Sequence, residues 1–314
     1  SMYYLGVDLG GTNIKAALVT ESGEIVKEAS IPTNLPRTGE EVCDDIVALC
    51  GQLAQGEQVA SIGIGCPGTV DHGVVLYSNN LDWHDFAMAD YLKAKTGMQV
   101  YIGNDANVAV LCEALAGCAK GAESAVIVTL GTGVGGGVVL GGRLLTGYTG
   151  AAAEPGHMVI LDTPDAPLCT CGRRGCFESF ASATALIRMT KEARAVHPES
   201  LLNTLALTEN AVTGRTAFDA ATKGDAAAQE VIDRYTRYLA VGVANLINIF
   251  FPEVIGLSGG VANQGETLLA PLRADVEPMV FGNAFAKKHT RITTCTLGYR
   301  VGVIGAALLA KQEE

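Results

Sequence analysis

The feature that most constrains the fold is a pattern that occurs twice: an apolar strand, a glycine-rich turn and a second strand. The first copy is LGGTNIKAALV at residues 9–19, and the second is LGTGVGGGVVL at residues 130–140. Self-similarity of this kind indicates an internal duplication. Strands and helices alternate along much of the chain, so the sequence predicts an α/β fold with a duplicated core.

The spacing of apolar residues gives a specific set of predicted elements. We expect strands at residues 3–9, 13–20, 24–31, 59–66, 98–103, 124–130, 134–140 and 253–258. We expect helices at residues 40–55, 106–117, 181–196, 225–250, 264–281 and 301–310.

The chain length of 314 residues suits two domains of about 150 residues each. We expect an N-terminal α/β domain over residues 1–117 that handles sugar and phosphate. A C-terminal α/β domain is expected over residues 118–300, with the helix at 301–314 packing back on the first domain. A cleft is expected between the two domains.

The net charge of −11 argues against a nucleic-acid surface, which normally carries a basic face. No stretch of about 18 residues is apolar enough for a membrane helix, and no signal-peptide pattern precedes the first strand. We therefore expect a cytoplasmic protein without nucleic-acid or membrane partners. Six of the nine cysteines lie in apolar segments and are expected to be small buried hydrophobic residues. They are Cys43, Cys50, Cys66, Cys112, Cys118 and Cys295.

The first candidate site is the turn of the first repeat, where Asp8 is followed by Gly10, Gly11 and Thr12. Such a turn exposes backbone N–H groups and a hydroxyl to an anion, and an aspartate beside it can hold Mg²⁺. An ordinary β-hairpin with glycine in the turn has the same pattern. The second turn, Gly131-Thr132-Gly133, favours the phosphate-binding interpretation of both.

The second candidate is Asp105, in the run Gly103-Asn104-Asp105-Ala106-Asn107 between a predicted strand and a predicted helix. The N-terminus of the helix is expected to stabilise the ionised carboxylate. From the pattern alone, Asp105 is either a helix N-cap or a functional base.

The third candidate is a cysteine-rich stretch that begins with Glu154-Pro155-Gly156-His157. It continues with Cys169-x-Cys171-Gly172-x-x-Gly175-Cys176-x-Glu178. Three thiolates and one imidazole form the Cys₃His set of a closed structural zinc site. A loop with unconnected free thiols is the alternative. We predict that zinc fixes this loop so that Glu154 and Glu178 point at a ligand.

Two further turns carry weaker signals. Gly68 lies in Gly-Cys-Pro-Gly-Thr-Val-Asp at residues 65–71, and Asn80 follows in Ser-Asn-Asn-Leu-Asp-Trp at residues 78–83. Gly259 and Gly260 join a strand to a helix. From the residues alone, both stretches are also typical of ordinary turns, and the order of the motifs favours a functional role for the first.

Together these motifs carry a resemblance to a known family. Asp-x-Gly-Gly-Thr-x-x-Lys at 8–15 and Leu-Gly-Thr-Gly-x-Gly-Gly-Gly at 130–137 resemble the phosphate motifs of the sugar kinase/Hsp70/actin superfamily. The remaining motifs are similar, in content and order, to the ROK family of bacterial sugar kinases and sugar-sensing repressors, over essentially the whole chain. The resemblance implies a two-domain actin-like ATPase (ribonuclease H-like) fold.

The resemblance also implies an activity, ATP-dependent phosphorylation of a hexose such as glucose, with Asp105 as the base. It implies ATP with Mg²⁺, a structural Zn²⁺ and a homodimer. The implied sugar ligands are Gly68, Asn80, Asn104, Asp105, Glu154, His157 and Glu178. The implied nucleotide and magnesium residues are Asp8, Gly10, Gly11, Thr12, Lys15, Gly131, Thr132, Gly133, Gly259 and Gly260. The implied zinc ligands are His157, Cys169, Cys171 and Cys176.

Two alternatives remain beside glucose phosphorylation. A kinase for N-acetylmannosamine, N-acetylglucosamine or another hexose would use the same residues. A sugar sensor or transcription repressor of the family is the alternative from another class. It is disfavoured because the first phosphate motif begins at residue 8 and leaves no room for a helix-turn-helix domain. Ala153 departs from the family, which usually has glycine before the first glutamate.

Overall fold

The computed structural model describes residues 1–148 and 152–312, and within them it has thirteen strands and ten α-helices. The strands are β1 (Tyr3–Leu9), β2 (Asn13–Thr20), β3 (Ile25–Pro32), β4 (Val59–Cys66), β5 (Thr69–Asp71), β6 (Val74–Ser78), β7 (Trp83–Phe86), β8 (Gln99–Asn104), β9 (Ser124–Leu130), β10 (Val134–Leu140), β11 (Arg143–Leu144), β12 (Val254–Ser258) and β13 (Arg291–Thr294). The helices are α1 (Gly39–Leu53), α2 (Met88–Thr96), α3 (Asp105–Leu115), α4 (Glu178–Ala181), α5 (Ala183–Val196), α6 (Leu202–Leu205), α7 (Thr216–Thr222), α8 (Ala226–Phe250), α9 (Glu266–Val276) and α10 (Val301–Ala307).

Two five-stranded sheets have the same strand order. The first is β3-β2-β1-β4-β8 and the second is β11-β10-β9-β12-β13. In each sheet the third, fourth and fifth strands of this order run parallel to one another. The repeated strand order confirms the duplicated α/β core that the repeated glycine-turn pattern predicts.

A third sheet, β5-β6-β7, and the helix α2 were not predicted from the sequence. The three strands are three to five residues long and are joined by turns rich in Asp, Asn and Gly. So few residues per strand give no readable alternation of apolar and polar side chains. The strand β13 was missed for the same reason.

The chain divides into two compact units. Unit 1 comprises Ser1–Glu123, Val138–Gly150 and Leu297–Glu314, and unit 2 comprises Ser124–Gly137 and Ala151–Thr296. This division differs from the predicted boundary after residue 117. The turn that follows α3 stays with unit 1 because Glu113 binds it, through its carbonyl to the Ala119 N–H and its carboxylate to the Cys118 N–H.

Unit 1 has helices on both faces of its first sheet. On one face, Leu5, Val7 and Leu9 pack with α1 and α2, and on the other face α3 and α10 form a second apolar cluster. The approach of α10 is very close, because a Cβ atom at Gly63 in β4 would lie 1.7 Å from the carbonyl oxygen of Ala306. Any side chain at this position would collide with the backbone of α10, so only glycine allows β4 and α10 to pack this closely. Residues 313 and 314 of the predicted terminal helix lie outside the described residues.

Unit 2 is built around the long helix α8, which contacts α4, α5, α7 and α9. Tyr235, the largest fully buried side chain among the described residues, donates a hydrogen bond of 2.7 Å to the carbonyl of Ala181 at the end of α4. In the described part of the chain, no helix is both long enough and apolar enough to cross a membrane.

The prediction for the six scattered cysteines is right for four of them. Cys43, Cys50, Cys66 and Cys112 are buried. Cys118 and Cys295 are only half-buried, because they lie in the connections that follow α3 and β13 rather than inside those elements.

Candidate active site and metal centre

The carboxyl ends of β1, β4 and β8 lie side by side at one edge of the first sheet. The parallel register pairs Asp8 with Gly65, and Gly65 with Gly103. Asp105 begins α3 directly after β8. Two predicted carboxylates, Asp8 and Asp105, therefore share the sheet edge where ligands of open α/β sheets bind.

The turn between β1 and β2 is held by a residue that the sequence analysis missed. The buried Thr33 donates through its hydroxyl to the carbonyl of Gly10, at 2.7 Å, and through its N–H to the carbonyl of Thr12, at 2.9 Å. Gly11 and Thr12 remain exposed at the tip. Thr33 follows β3 in a loop, and no local pattern marks it.

Lys15 lies opposite Asp8 on the neighbouring strand. Its ammonium group is 5.6 Å from the ring centroid of Tyr299, an exposed residue that the sequence analysis also missed. Burial raises the pKa of Asp8, the positive charge of Lys15 lowers it, and the negative charge of Asp105 raises it further. Burial has the largest effect of the three.

Asp105 is not the N-cap of α3. That position belongs to Asn104, whose side-chain oxygen accepts the N–H groups of Ala106, at 3.0 Å, and Asn107, at 3.3 Å. Asp105 also accepts the Ala106 N–H, at 2.9 Å. The helix N-terminus was predicted to stabilise the ionised form of Asp105, but the loss of hydration opposes this effect and is larger. Although Asp105 is exposed, surrounding protein atoms remove part of its hydration, and this desolvation raises its pKa more than backbone hydrogen bonds lower it.

The side chain of Asn104 links two stretches that were predicted separately. Its amide nitrogen donates to the carbonyl of Gly68 at 2.6 Å. The strand that follows Gly68 pairs Thr69 with Tyr77 in β6, and the exposed Asn80 lies in the turn after β6. With one amide hydrogen in this bond and its oxygen capping α3, Asn104 keeps one donor for a ligand.

In unit 2, two glycine turns lie at the ends of neighbouring parallel strands. Gly131-Thr132-Gly133 follows β9, and Gly259-Gly260 follows β12. The strand ends are joined by a hydrogen bond of 2.8 Å between the hydroxyls of Thr129 and Ser258. The structure thus brings together two of the predicted nucleotide-binding elements.

The four predicted metal ligands form one cluster. The ligating atoms of His157, Cys169, Cys171 and Cys176 all lie within 4.8 Å of one another. Cys169 Sγ lies 3.6 Å from His157 Nδ1, and Cys171 Sγ lies 3.6 Å from Cys176 Sγ. Tetrahedral zinc with bonds of about 2.0–2.3 Å requires edges of about 3.5–3.8 Å, so the donor set fits this ion.

The two glutamates beside this cluster have different environments. Glu178 is half-buried, and its Oε1 accepts the N–H of Val134 at 2.9 Å while its Oε2 lies 3.9 Å from Cys169 Sγ. Glu154 is exposed and precedes a 3₁₀ helix of one turn, Pro155–His157. Glu178 is therefore positioned by the cluster and by the backbone after the Gly131–Gly133 turn, whereas Glu154 is free to meet a ligand.

Comparison with known proteins identifies the family. The family model described as the ROK family matches residues 4–313. This chain belongs to the ROK family. It is 39% identical to the glucokinase of Halalkalibacterium halodurans over 319 residues, which cover 99% of this chain and 96% of that protein.

Two further relatives of the ROK chain bear on its fold and ligands. The crystal structure of a ROK family glucokinase from Streptomyces griseus, in complex with glucose and AMPPNP, is 35% identical, with a TM-score of 0.73 and 99% coverage of both chains. The N-acetylmannosamine kinase of Shigella flexneri is 33% identical over 321 residues, covering 100% of both chains. The predicted α/β fold, the two-domain actin-like ATPase fold with a duplicated core, is confirmed.

We expect Asp105→Asn to raise the melting temperature at neutral pH. Because the pKa of Asp105 is raised, the folded protein binds this proton more tightly than the unfolded chain does. The wild-type protein therefore loses stability as the pH rises from the ordinary aspartate value of about 3.9 through the folded pKa. Melting curves from about pH 3 to about pH 8 should show a gap between the two proteins that closes at the acid end.

The matched control is Asp219→Asn, which changes an exposed carboxylate on α7. Its melting temperature should follow the wild-type value at every pH. A gap for Asp105→Asn that persists unchanged at the acid end would contradict the explanation by burial.

Proposed function

We propose that this protein is an ATP-dependent hexose kinase that phosphorylates glucose to glucose 6-phosphate. The observation that carries the proposal is the sheet edge in unit 1, where Asp105 shares an electrostatic environment with Asp8, and Asp8 lies in the strand that leads into the exposed Gly11-Thr12 turn. A carboxylate base, a magnesium ligand and an anion-binding turn are the parts that phosphoryl transfer needs. The identities of 33–39% to glucokinases support the same activity.

In the proposed reaction, the hydroxyl oxygen on C6 of the sugar attacks the γ-phosphorus of ATP. The bond from this phosphorus to the bridging oxygen breaks, ADP leaves, and Asp105 accepts the hydroxyl proton. The raised pKa of Asp105 suits this role, because a base with a pKa nearer the working pH accepts a proton more effectively. Mg²⁺, held through Asp8, would neutralise charge on the phosphates.

The remaining predicted residues receive roles in the same proposal. Sugar hydroxyls are assigned to Gly68, Asn80, Asn104, Asp105, Glu154, His157 and Glu178. The phosphates and adenosine are assigned to Gly10, Gly11, Thr12, Lys15, Gly131, Thr132, Gly133, Gly259 and Gly260. Since His157 Nδ1 faces Cys169, its Nε2 is the nitrogen left for a sugar hydroxyl.

A second substrate class is favoured by one finding. The identity to an N-acetylmannosamine kinase, 33%, equals that to one of the glucokinases. A kinase of this kind would keep Asp105 as base and differ only in the room beside one edge of the sugar.

The test is ADP release from Mg-ATP with a panel of hexoses and N-acetylhexosamines. We expect glucose to give the fastest release. Asp105→Asn should bind glucose normally and lose about 10²–10⁴ of turnover, because only proton transfer is removed.

Each outcome of this panel is informative. Faster release with an N-acetylated sugar would replace glucose as the substrate and keep the base. No sugar-dependent release, with zinc and magnesium present, would indicate a sugar sensor. Turnover of Asp105→Asn at the wild-type rate would remove Asp105 from the mechanism.

We also propose that His157, Cys169, Cys171 and Cys176 hold a structural zinc ion. All four positions of a tetrahedral site are supplied by protein, so no position is open for catalytic water. The backbone N–H of Arg173 lowers the pKa of Cys171, whereas burial raises that of Cys176 to about 12, and a bound cation would favour the thiolate at both. Reduced thiols and ATP together support a cytoplasmic location.

Replacing Cys171 with Ser should release zinc and weaken sugar binding, because the loop that carries His157 and Glu178 loses its support. Metal analysis of the purified protein and calorimetric titration with glucose measure the two effects. Cys112→Ala, a buried thiol outside the cluster, should keep the zinc. An unchanged zinc content in Cys171→Ser would refute the metal site.

A homodimer is the proposed assembly, formed through an apolar patch on unit 2. The patch consists of Ile249, Phe251, Phe281 and Phe285, which are 66%, 58%, 94% and 93% exposed. Asn248 joins its two segments, since it donates to Met279 and accepts from Phe281. At about 200 Å² per aromatic side chain the three phenylalanines expose about 500 Å², much of the roughly 800 Å² per partner of a standard interface.

The double variant Phe281→Ser/Phe285→Ser should be monomeric in analytical ultracentrifugation, because most of the exposed aromatic area is removed. Leu207→Ser, at an 80% exposed residue in another segment of unit 2, is the control and should remain dimeric. A monomeric wild-type protein would overturn the proposal.

A further inference from the structure

Two of the three carbonyl groups of the Gly131-Thr132-Gly133 turn accept hydrogen bonds from the start of α5. The N–H of Ala183 donates to the carbonyl of Gly131 at 2.8 Å, and the hydroxyl of Thr184 donates to the carbonyl of Thr132 at 2.8 Å. In a trans peptide the C=O and the following N–H point in opposite directions. These two bonds therefore turn the N–H groups of Thr132 and Gly133 away from α5.

A third contact holds the far side of the turn. The N–H of Val134 donates to Oε1 of Glu178, and a Cβ atom at Gly133 would lie 2.2 Å from that oxygen. Glu178 lies two residues after Cys176 and opens α4. The segment from the cysteine cluster to the start of α5 thus contacts the turn at both ends, at Gly131 and at Val134.

The Thr184 contact is tertiary and is not part of helix capping. The N-cap of α5 is Ser182, a buried residue whose hydroxyl accepts the N–H of Ala185 at 3.0 Å. Thr184 is exposed and is the second residue of the helix. Removing its hydroxyl leaves the cap of the helix intact and frees only the carbonyl of Thr132.

We propose that Thr184 is a positioning residue for the phosphoryl donor. Its hydroxyl fixes the plane of the Thr132–Gly133 peptide, so that the N–H of Gly133 is held ready for a phosphate oxygen of the nucleotide. Oriented backbone N–H groups bind anions best when they need no reorganisation on binding. The inference rests on the proposed nucleotide role of this turn.

The experiment compares Thr184→Val, which keeps the shape and loses the donor, with Thr184→Ser, which keeps the donor. Affinity for Mg-AMPPNP is measured by calorimetry, and KM for ATP and for glucose by steady-state kinetics. Loss of one hydrogen bond of ordinary strength, about 1 kcal/mol, corresponds to about fivefold weaker binding. We expect this loss in nucleotide affinity and in the KM for ATP with Thr184→Val, an unchanged KM for glucose, and wild-type values with Thr184→Ser.

A third variant, Gly133→Ala, separates failure of this inference from failure of the proposed function. Normal AMPPNP binding by Thr184→Val, with binding lost in Gly133→Ala, would overturn the role of Thr184 and keep the turn as the donor site. Normal binding by both variants would overturn the nucleotide role of the turn as well. Equal losses for glucose and ATP in Thr184→Val would indicate a merely structural contact and also overturn the inference.

Discussion

The parallel pairing of β1, β4 and β8 is the constraint on which the candidate site of unit 1 depends. Hydrogen bonding between parallel strands places their carboxyl ends at one edge, whatever the loops between them do. The close packing on both faces of the sheet holds this register. A slip of one residue would move every side chain to the opposite face and would place a side chain where only Gly63 fits against Ala306. Asp8 and the start of α3 meet only because these strands pair in this order.

In unit 2 the corresponding role belongs to one carboxylate. One carboxylate oxygen of Glu178 lies 3.9 Å from Cys169 Sγ in the cysteine cluster. The other oxygen accepts the N–H of Val134, beside the Gly131–Gly133 turn. A change at the cysteine cluster and a change at the turn would therefore act on the same side chain. The proposed structural zinc ion would in this way influence ligand binding without touching the reacting atoms.

The sequence predicted the parts of the molecule whose signal is local. The two glycine turns, the strands around them and the Cys₃His set are encoded in short runs, and the structure places each where expected. The capping of α3 by Asn104 and the raised pKa of Asp105 were not predicted. The cap is local, but Asn and Asp are both common N-cap residues, so the pattern does not show which of Asn104 and Asp105 caps the helix. The pKa of Asp105 depends on the protein atoms that surround the start of α3, and no motif records that environment. The predicted interdomain cleft stays a prediction.

By itself, the sequence determined the duplicated α/β core, the family and the chemical types gathered in each motif, because repeats and residue types are visible without coordinates. Only the tertiary structure decided which motifs meet. It joined Asn104 to Gly68, placed Thr33 beneath the first glycine turn, and linked Thr184 to the second. These contacts span from 23 to 52 residues of chain, and hydrogen bonds over such distances are set by packing of whole elements rather than by any local pattern.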